Sequence, residues 1–336
     1  MGVLKRLRLR LRRRRLQLRA LRKLAELSVR QDRTADTSPE DILLFATVRN
    51  EADRLPYFFD YYRRLGVDRF FFVDNGSDDG TREWLEAQPD TSVWTTTASY
   101  KRARFGCDWI NGLLARHGRG HWVLVVDVDE FLVYPHSDVR PLRALTEWLD
   151  ASAVKSFAAM LVDMYSTRPI EEARYTPGQN PFEVLDHFDS GNYSIKRDWT
   201  HDGLWIQGGP RMRVLFDESP DQAPALNKIP LVKWSRGTVY LSSTHSLLPR
   251  GLNRVYDEWG GEKPSGCLLH AKFLNLLTDK AEEEMLRRQH YAGSREYIAY
   301  RARLGQGRSL QNEWSVRYRG WRQLEQLGLM SSGGWI

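Results

Sequence analysis

In the stretch "HWVLVVDVDEF", residues 121–131, an apolar run from Trp122 to Val126 stops at Asp127, Asp129 and Glu130. Ionised carboxylates beside a buried strand are costly unless they are paired, hydrogen-bonded or bound to a cation. In extended backbone Asp127 and Asp129 project to one side and Val128 to the other. Two converging carboxylates are hard oxygen ligands suited to Mg²⁺ or Mn²⁺. An ion held between them can bridge the oxygens of a diphosphate and stabilise the charge that develops as that group leaves. Glu130 falls on the opposite face, where a structural salt bridge is expected. A second acidic end is "DNGSDDGT", Asp74 to Thr81, a glycine-containing turn after an apolar strand. Asp74 there can accept from a base N–H or a ribose hydroxyl; a plain strand–helix turn is the rival reading. Arg49, Asn50 and Glu51 form a third polar end.

These ends have to be positioned by regular elements, and the pattern around them alternates. Residues 42–48, 69–74 and 91–97 read as strands, as does the apolar run before Asp127. Between them residues 55–66, 79–87 and 104–118 read as helices, the first with Pro56 in its opening turn and Gly66 at its end. Alternation of this kind implies right-handed crossovers and a parallel sheet covered by helices on both faces. Ligands of such sheets bind beyond the carboxyl ends of the strands, and all three polar ends lie there. Further on, residues 142–151 read as a helix and 156–166 as a strand carrying Asp163. Residues 167–265 are rich in Pro, Gly, Asp and Trp, with short strand-like pieces such as "RMRVLF" and "TVYLSST"; from about Thr278 the chain reads as helical and charged.

The 336 residues suffice for one large α/β domain, and 41% apolar with 28% charged residues is ordinary for a soluble globular protein. No window approaches the roughly 18 uninterrupted apolar residues of a membrane-spanning helix. The basic start does not pass into an apolar leader. Cys107 and Cys267 suggest neither a disulfide framework nor a zinc cluster, so a reducing cytoplasm is expected. The net charge of +7 is unevenly spread. Residues 1–33 hold thirteen Lys or Arg against Glu26 and Asp32, a net of +11; the remaining 37 basic and 41 acidic residues give −4. In this arm Leu4, Leu7, Leu11, Leu18 and Leu21 recur at three- and four-residue steps, giving a helix one leucine face and an arginine-rich remainder. Such a helix suits an anionic membrane surface. It also suits packing on its own domain, with nucleic acid as the third use of the charge.

The segment "ATVRNEADRLPYFFDYYRRLGVDRFFFVDNGSDDGT" followed by "WVLVVDVDEFLVY" resembles the family 2 glycosyltransferases of GT-A fold, and more closely a family-92-like branch. "ALNKIPLVKW" (225–234), "SSTHSLLP" (242–249) and "GCLLHAKFL" (266–274) resemble the later blocks of that branch, so the resemblance runs over roughly residues 41–303. It implies a GT-A type, Rossmann-like, mostly parallel sheet flanked by helices and a nucleotide-sugar donor. It assigns Val48, Arg49, Asn50, Glu51 and Asp74 to the nucleoside, Asp129 to direct metal binding and Asp127 to an auxiliary place on metal and donor. A histidine far downstream completes such sites, which points to His270, with His245 a weaker candidate; Lys272 would neutralise the diphosphate. Asp163 is the candidate general base, with Asp186, Asp189, Asp217 and Glu218 as alternatives in the variable region.

The expected organisation is therefore a basic arm (1–33), a linker (34–40), a GT-A domain (41–277) and a C-terminal helical extension (278–336). Within the domain, residues 41–135 would bind the donor and 136–277 the acceptor, a glycan or lipid-linked molecule. The expected place is the cytoplasm or the inner face of a membrane. A haloacid-dehalogenase-type phosphatase using Asp127 and Asp129 is the enzymatic rival, although three strand–helix units precede its acidic strand here. A non-enzymatic binding protein acting through the arm leaves the acidic strand ends unexplained.

Overall fold

The computed structural model describes residues 3–255, 263–277 and 309–335. Helix α1 (Val3–Lys23) and strand β1 (Ser28–Gln31) come first. The alternating part comes next: β2 (Leu43–Val48), α2 (Leu55–Leu65), β3 (Arg69–Asp74), α3 (Thr81–Glu86), β4 (Thr91–Thr95), α4 (Cys107–His117) and β5 (Trp122–Val125). Then come β6 (Glu130–Val133), α5 (Leu142–Ala151), β7 (Ser156–Asp163), β8 (His187–Asp189), β9 (Tyr193–Asp198) and β10 (Gly203–Gly208). The described chain closes with β11 (Asn227–Lys233), β12 (Val239–Tyr240), β13 (Leu247–Leu248), β14 (Ser265–His270), β15 (Ser315–Arg317) and α6 (Trp321–Gln326).

Nine strands form one sheet in the order β1-β4-β3-β2-β5-β11-β7-β14-β6. Pairing directions place β4, β3, β2, β5, β7 and β14 one way and β1, β11 and β6 the other, so the sheet is mostly parallel. Strands β2 and β3 are buried along nearly their whole length because both faces are covered. Their side chains alternate between two layers. Leu44, Ala46, Val48, Phe70 and Phe72 meet the α2 residues Phe58, Phe59 and Tyr62; Leu43, Phe45, Phe71 and Val73 meet the α4 residues Trp109, Ile110 and Leu113. Helix α2 buries Leu55, Phe58, Phe59, Tyr62 and Leu65, one face at helical spacing. It ends where Gly66, at φ 100°, takes the left-handed conformation and returns its N–H to the last turn.

One crossing organises the site. Strand β5 lies in the middle of the sheet and β6 at its far edge, yet only residues 126–129 separate them. That short segment must run across the carboxyl ends of β7 and β14. It is a turn, closed by Glu130 N–H on the Asp127 carbonyl (3.0 Å), and not the extended backbone expected for the two aspartates.

Several expectations change. The arm and linker are not detached from the domain: β1 pairs antiparallel with β4 as an edge strand, and α1 packs on the body through Leu9 and Leu16 against Val239, Leu241 and Leu248. "RMRVLF" is not a strand but a π-helical turn, Arg211–Leu215. "TVYLSST" contributes only the two-residue β12. The helical extension falls largely on residues 278–308, outside the described residues. Residues 309–335 are folded onto the domain, with β15 paired to β8, Ser331 bridged to Ser265, and Trp335 buried. Among the described residues no helix is long and apolar enough to cross a membrane. Both cysteines are buried free thiols.

Candidate active site

At the carboxyl edge, β2 ends in Val48, β5 leads to Asp127, β7 ends in Asp163 and β14 ends in His270. In register His270 lies between Asp163 and Glu130, its neighbours on the flanking strands. A cleft of about 240 Å³ opens over this edge, and Val48, Arg49, Glu51, Asp127, Asp129, His270 and Lys272 all line it. Seven of the ten leading candidates are thus brought together, and the weaker candidate His245 lines the cleft too. Asn50, Asp74 and Asp163 are not on its wall.

The centre is a chain of alternating charge. Asp129 Oδ2 lies 3.3 Å from His270 Nε2. His270 Nδ1 donates to Asp163 Oδ1 (2.6 Å), and Arg211 Nε donates to Asp163 Oδ2 (2.8 Å). Asp163, His270 and Arg211 are buried. Burial alone would lower the pKa of the imidazole, but the carboxylates of Asp129 and Asp163 overcome it and raise it to about 9. Burial would likewise raise both carboxyls. Instead His270 holds Asp129 far below the usual range, and Arg211 with His270 holds Asp163 down to about 2. The Ala271 N–H donates to the Asp129 carbonyl (2.8 Å), which ties the acidic turn to the end of β14.

Asp127 differs. Its side chain is 55% exposed, and partial desolvation with the nearby Glu130 pushes its carboxyl above the usual range. Glu130 forms the expected salt bridge, with Lys228 Nζ at 2.8 Å, but not on the opposite face. The turn swings it back so that its Oε2 accepts from the Asp127 N–H (3.3 Å) and it lines the same cleft. Lys228 is buried at the start of β11 and also lies 3.9 Å from Asp127.

The turn after β3 is self-contained. Asp74 is fully buried; its Oδ1 accepts from the Ser77 N–H (3.1 Å) and hydroxyl, and its Oδ2 from Thr95 Oγ1 (3.3 Å). It therefore anchors the turn and is not on the cleft wall, whereas Asn75, next along, lines it. Asn50, at φ 51°, fastens the two loops together: its N–H donates to Ser77 Oγ (3.0 Å) and its Oδ1 accepts from the Asp78 N–H (3.0 Å). Arg49 donates to the carbonyls of Asn75 (2.9 Å) and Gly76. A Cβ on Gly76 would sit 3.3 Å from that guanidinium, and φ there is +74°, so glycine fits both the turn and the approach.

Asp163 is buried, both its oxygens are engaged by His270 and Arg211, and its pKa is depressed. That environment suits a group that orients His270 better than one that takes up a proton. Asp186 pairs with His187 (2.7 Å) and Arg317 (3.0 Å), and Asp189 with Arg213 (2.8 Å). Neither they nor Asp217 and Glu218 line the cleft. His245 Nδ1 donates to the Asn227 carbonyl (2.7 Å), and burial beside Lys228 drives its pKa down to about 3, so it is a neutral structural imidazole. Arg211 and Lys228 were not among the residues expected from the sequence. The available signal was the cost of a lysine inside an apolar strand, "ALNKIPLVKW", which demands an acidic partner.

Among the described residues no three His, Cys, Asp or Glu side chains converge as a ready metal cage. The donors present nevertheless fit a hard ion shared with substrate. Two ligands at 90° around Mg²⁺ or Mn²⁺ sit roughly 3 Å apart, and such ions are held by one or two carboxylates plus substrate phosphates and water. Asp129 and His270 have that spacing. Asp163 behind Nδ1 supplies the outer carboxylate that orients a ligating histidine.

No protein-family model matches the chain. A glycosyltransferase family 92 protein of Oryza sativa subsp. japonica is 30% identical over 102 residues, covering 26% of this chain and 15% of that protein. Among solved structures, 4-diphosphocytidyl-2C-methyl-D-erythritol synthase superposes with a TM-score of 0.25 at 16% identity over 42% of this chain and 66% of that one, too loosely to carry an argument. The chain is thus similar, over about a quarter of its length, to the glycosyltransferase family that its motifs resemble.

Proposed function

We propose that the protein is a glycosyltransferase that moves a sugar from a nucleoside diphosphate donor to a glycan or lipid-linked acceptor, using Mn²⁺ or Mg²⁺ at Asp129 and His270. One observation carries this reading: Asp129 and His270 face each other at 3.3 Å on the carboxyl edge of the sheet, with Asp163 and Arg211 fixing the imidazole from behind. A divalent ion there supplies positive charge to a departing diphosphate. The chain's own groups do the rest. Val48, Arg49, Glu51 and Asn75 form the nucleoside wall, Asp127 stands at the mouth beside the ion site, and Lys272 meets the diphosphate. In the transfer the bond from the anomeric carbon to the diphosphate oxygen breaks, with its electron pair leaving on that oxygen. The acceptor hydroxyl oxygen bonds to the same carbon and passes its proton to water at the open mouth of the cleft. A second cavity, of about 890 Å³, adjoins the cleft through Tyr100, Pro224, Ala225, Lys228 and His245, and gives an acceptor a place beside the donor.

The test is a thermal-shift and calorimetric series of nucleoside diphosphates with and without Mn²⁺, on wild type and Asp129→Asn. We expect Mn²⁺-dependent stabilisation by one nucleotide in wild type and loss of at least tenfold in its affinity in the variant. Equal stabilisation of the two proteins removes the metal assignment. Turnover inhibited by vanadate without any effect of sugar nucleotides removes the transferase reading in favour of phosphate-ester chemistry.

A further inference from the structure

Helix α1 carries eleven Lys or Arg and no acid in its 21 residues. The structure divides it into two faces. The inner face is committed to the body. Leu9 and Leu16 pack on Val239, Leu241 and Leu248; Ala20 is buried; Gln17 donates to the Arg236 carbonyl (2.9 Å) and Arg19 to Asp108 (2.6 Å). The outer face keeps Leu4, Leu7, Leu11, Leu18 and Leu21 in solvent, with relative exposures of 73, 52, 46, 56 and 51%. At 100° per residue these five leucines fall within an arc of about 100°. Arg8, Arg10, Arg14, Arg15 and Arg22 stand among and beside them, all exposed.

A second copy of this chain is the first occupant to weigh for such a stripe, because the leucines stand at the a and d spacing of a coiled coil. Charge excludes it. The flanking e and g positions would be Arg8, Arg10, Arg15 and Arg22, a d position would be Arg14, and the helix offers no acid to answer them. Two copies would bury arginine against arginine. An anionic lipid surface meets both halves of the face at once: leucines enter the headgroup boundary and guanidiniums bind phosphates. We infer that the outer face of α1 is a docking surface for an anionic membrane, held in fixed orientation to the catalytic cleft by the packed inner face. This inference stands apart from the donor reading, because it uses no residue of the cleft.

The test is co-sedimentation of the full chain with phosphatidylcholine vesicles, with and without phosphatidylglycerol, at low and high salt. The variant is Leu7→Glu/Leu11→Glu/Leu18→Glu, three exposed side chains that belong to none of the hydrophobic clusters of the body. Wild type should bind only the anionic vesicles, less at high salt, and the variant should bind roughly tenfold more weakly or worse, with unchanged Tm and unchanged nucleotide stabilisation. Wild type that ignores anionic vesicles, or a variant that binds them as well as wild type, overturns the inference. So does a dimer by sedimentation velocity that the triple variant abolishes. Tighter binding to double-stranded DNA than to vesicles, insensitive to the leucines but lost in Arg8→Gln/Arg15→Gln, overturns it in favour of nucleic acid.

Discussion

Two histidines at the same sheet edge have opposite fates, set by their neighbours. His270 stands between Asp129 and Asp163, which favour its charged form until an ion replaces the Nε2 proton; His245 stands beside Lys228 and is held neutral. The second has a consequence for stability. Its folded pKa, about 3, lies below the ordinary value of 6.5, so the unfolded chain takes up a proton at pH values where the folded chain does not. Stability from this group is complete above pH 6.5 and is lost as pH falls toward 3. Urea unfolding should therefore show about 1–2 kcal/mol less stability at pH 5 than at pH 7.5 from His245 alone, after discounting for its partial exposure. His245→Gln should flatten that portion of the profile while leaving the acid loss due to carboxylates. A profile identical in the variant would show that His245 titrates as it does in water. From sequence the two histidines differed only in context, "LLHAKF" against "SSTHSLLP". Which of them is charged depends on Asp163, Arg211 and Lys228, partners far away in the chain, and no local pattern announces such pairs.

At the level of elements, the parts that could be read were those whose burial repeats along the chain. Strand β3 and helix α5 fall at the expected residues, 69–74 and 142–151, because one has an unbroken apolar run from Phe70 to Val73 and the other buries Leu142, Leu145 and Leu149 at helical spacing. Strand β1 was hidden for the opposite reason: its first three residues are exposed, so a short edge strand without an apolar run was read as the end of the basic arm. The π-helical turn at Arg211–Leu215 was hidden because its purpose is to aim Arg211 at Asp163, not to bury a face. The contact of the arm with α4 was hidden too, and besides the Arg19–Asp108 pair it needs one glycine. A Cβ on Gly112 would come within 2.7 Å of the Leu24 side chain and 3.0 Å of the Ala20 carbonyl oxygen. Gly112→Ala gains about 1 kcal/mol of helix propensity, but overpacking typically costs about 1–3 kcal/mol. The backbone contact cannot yield as a side chain does, so the clash should win. We predict a net loss of about 1–2 kcal/mol by urea unfolding; a stabilised Gly112→Ala would mean that α1 and α4 are not in close contact.

For the whole molecule the question is whether a segment of net charge +11 is a passenger on a body of net charge −4 or a part of it. Its inner face answers this. Without α1, the apolar patch of Val239, Leu241 and Leu248 would meet water, and fully buried Asp108 would keep Arg104 (2.7 Å) but lose Arg19. Deleting residues 1–23 should therefore destabilise the protein by roughly 2–4 kcal/mol, the sum of two partly buried leucines, one alanine and a weakened buried ion pair. A charged passenger predicts the reverse, since removing self-repelling arginines would leave Tm unchanged or raise it. Scanning calorimetry of the deletion decides between them at one salt concentration, and repeating it at high salt separates the two causes. Apolar exposure persists when charges are screened, whereas repulsion among arginines fades. A deletion with lowered Tm at both salt concentrations makes the arm a structural element whose orientation is fixed by packing. An arm so fixed can set which side of the molecule, and therefore which end of the cleft, faces any surface its outer leucines touch.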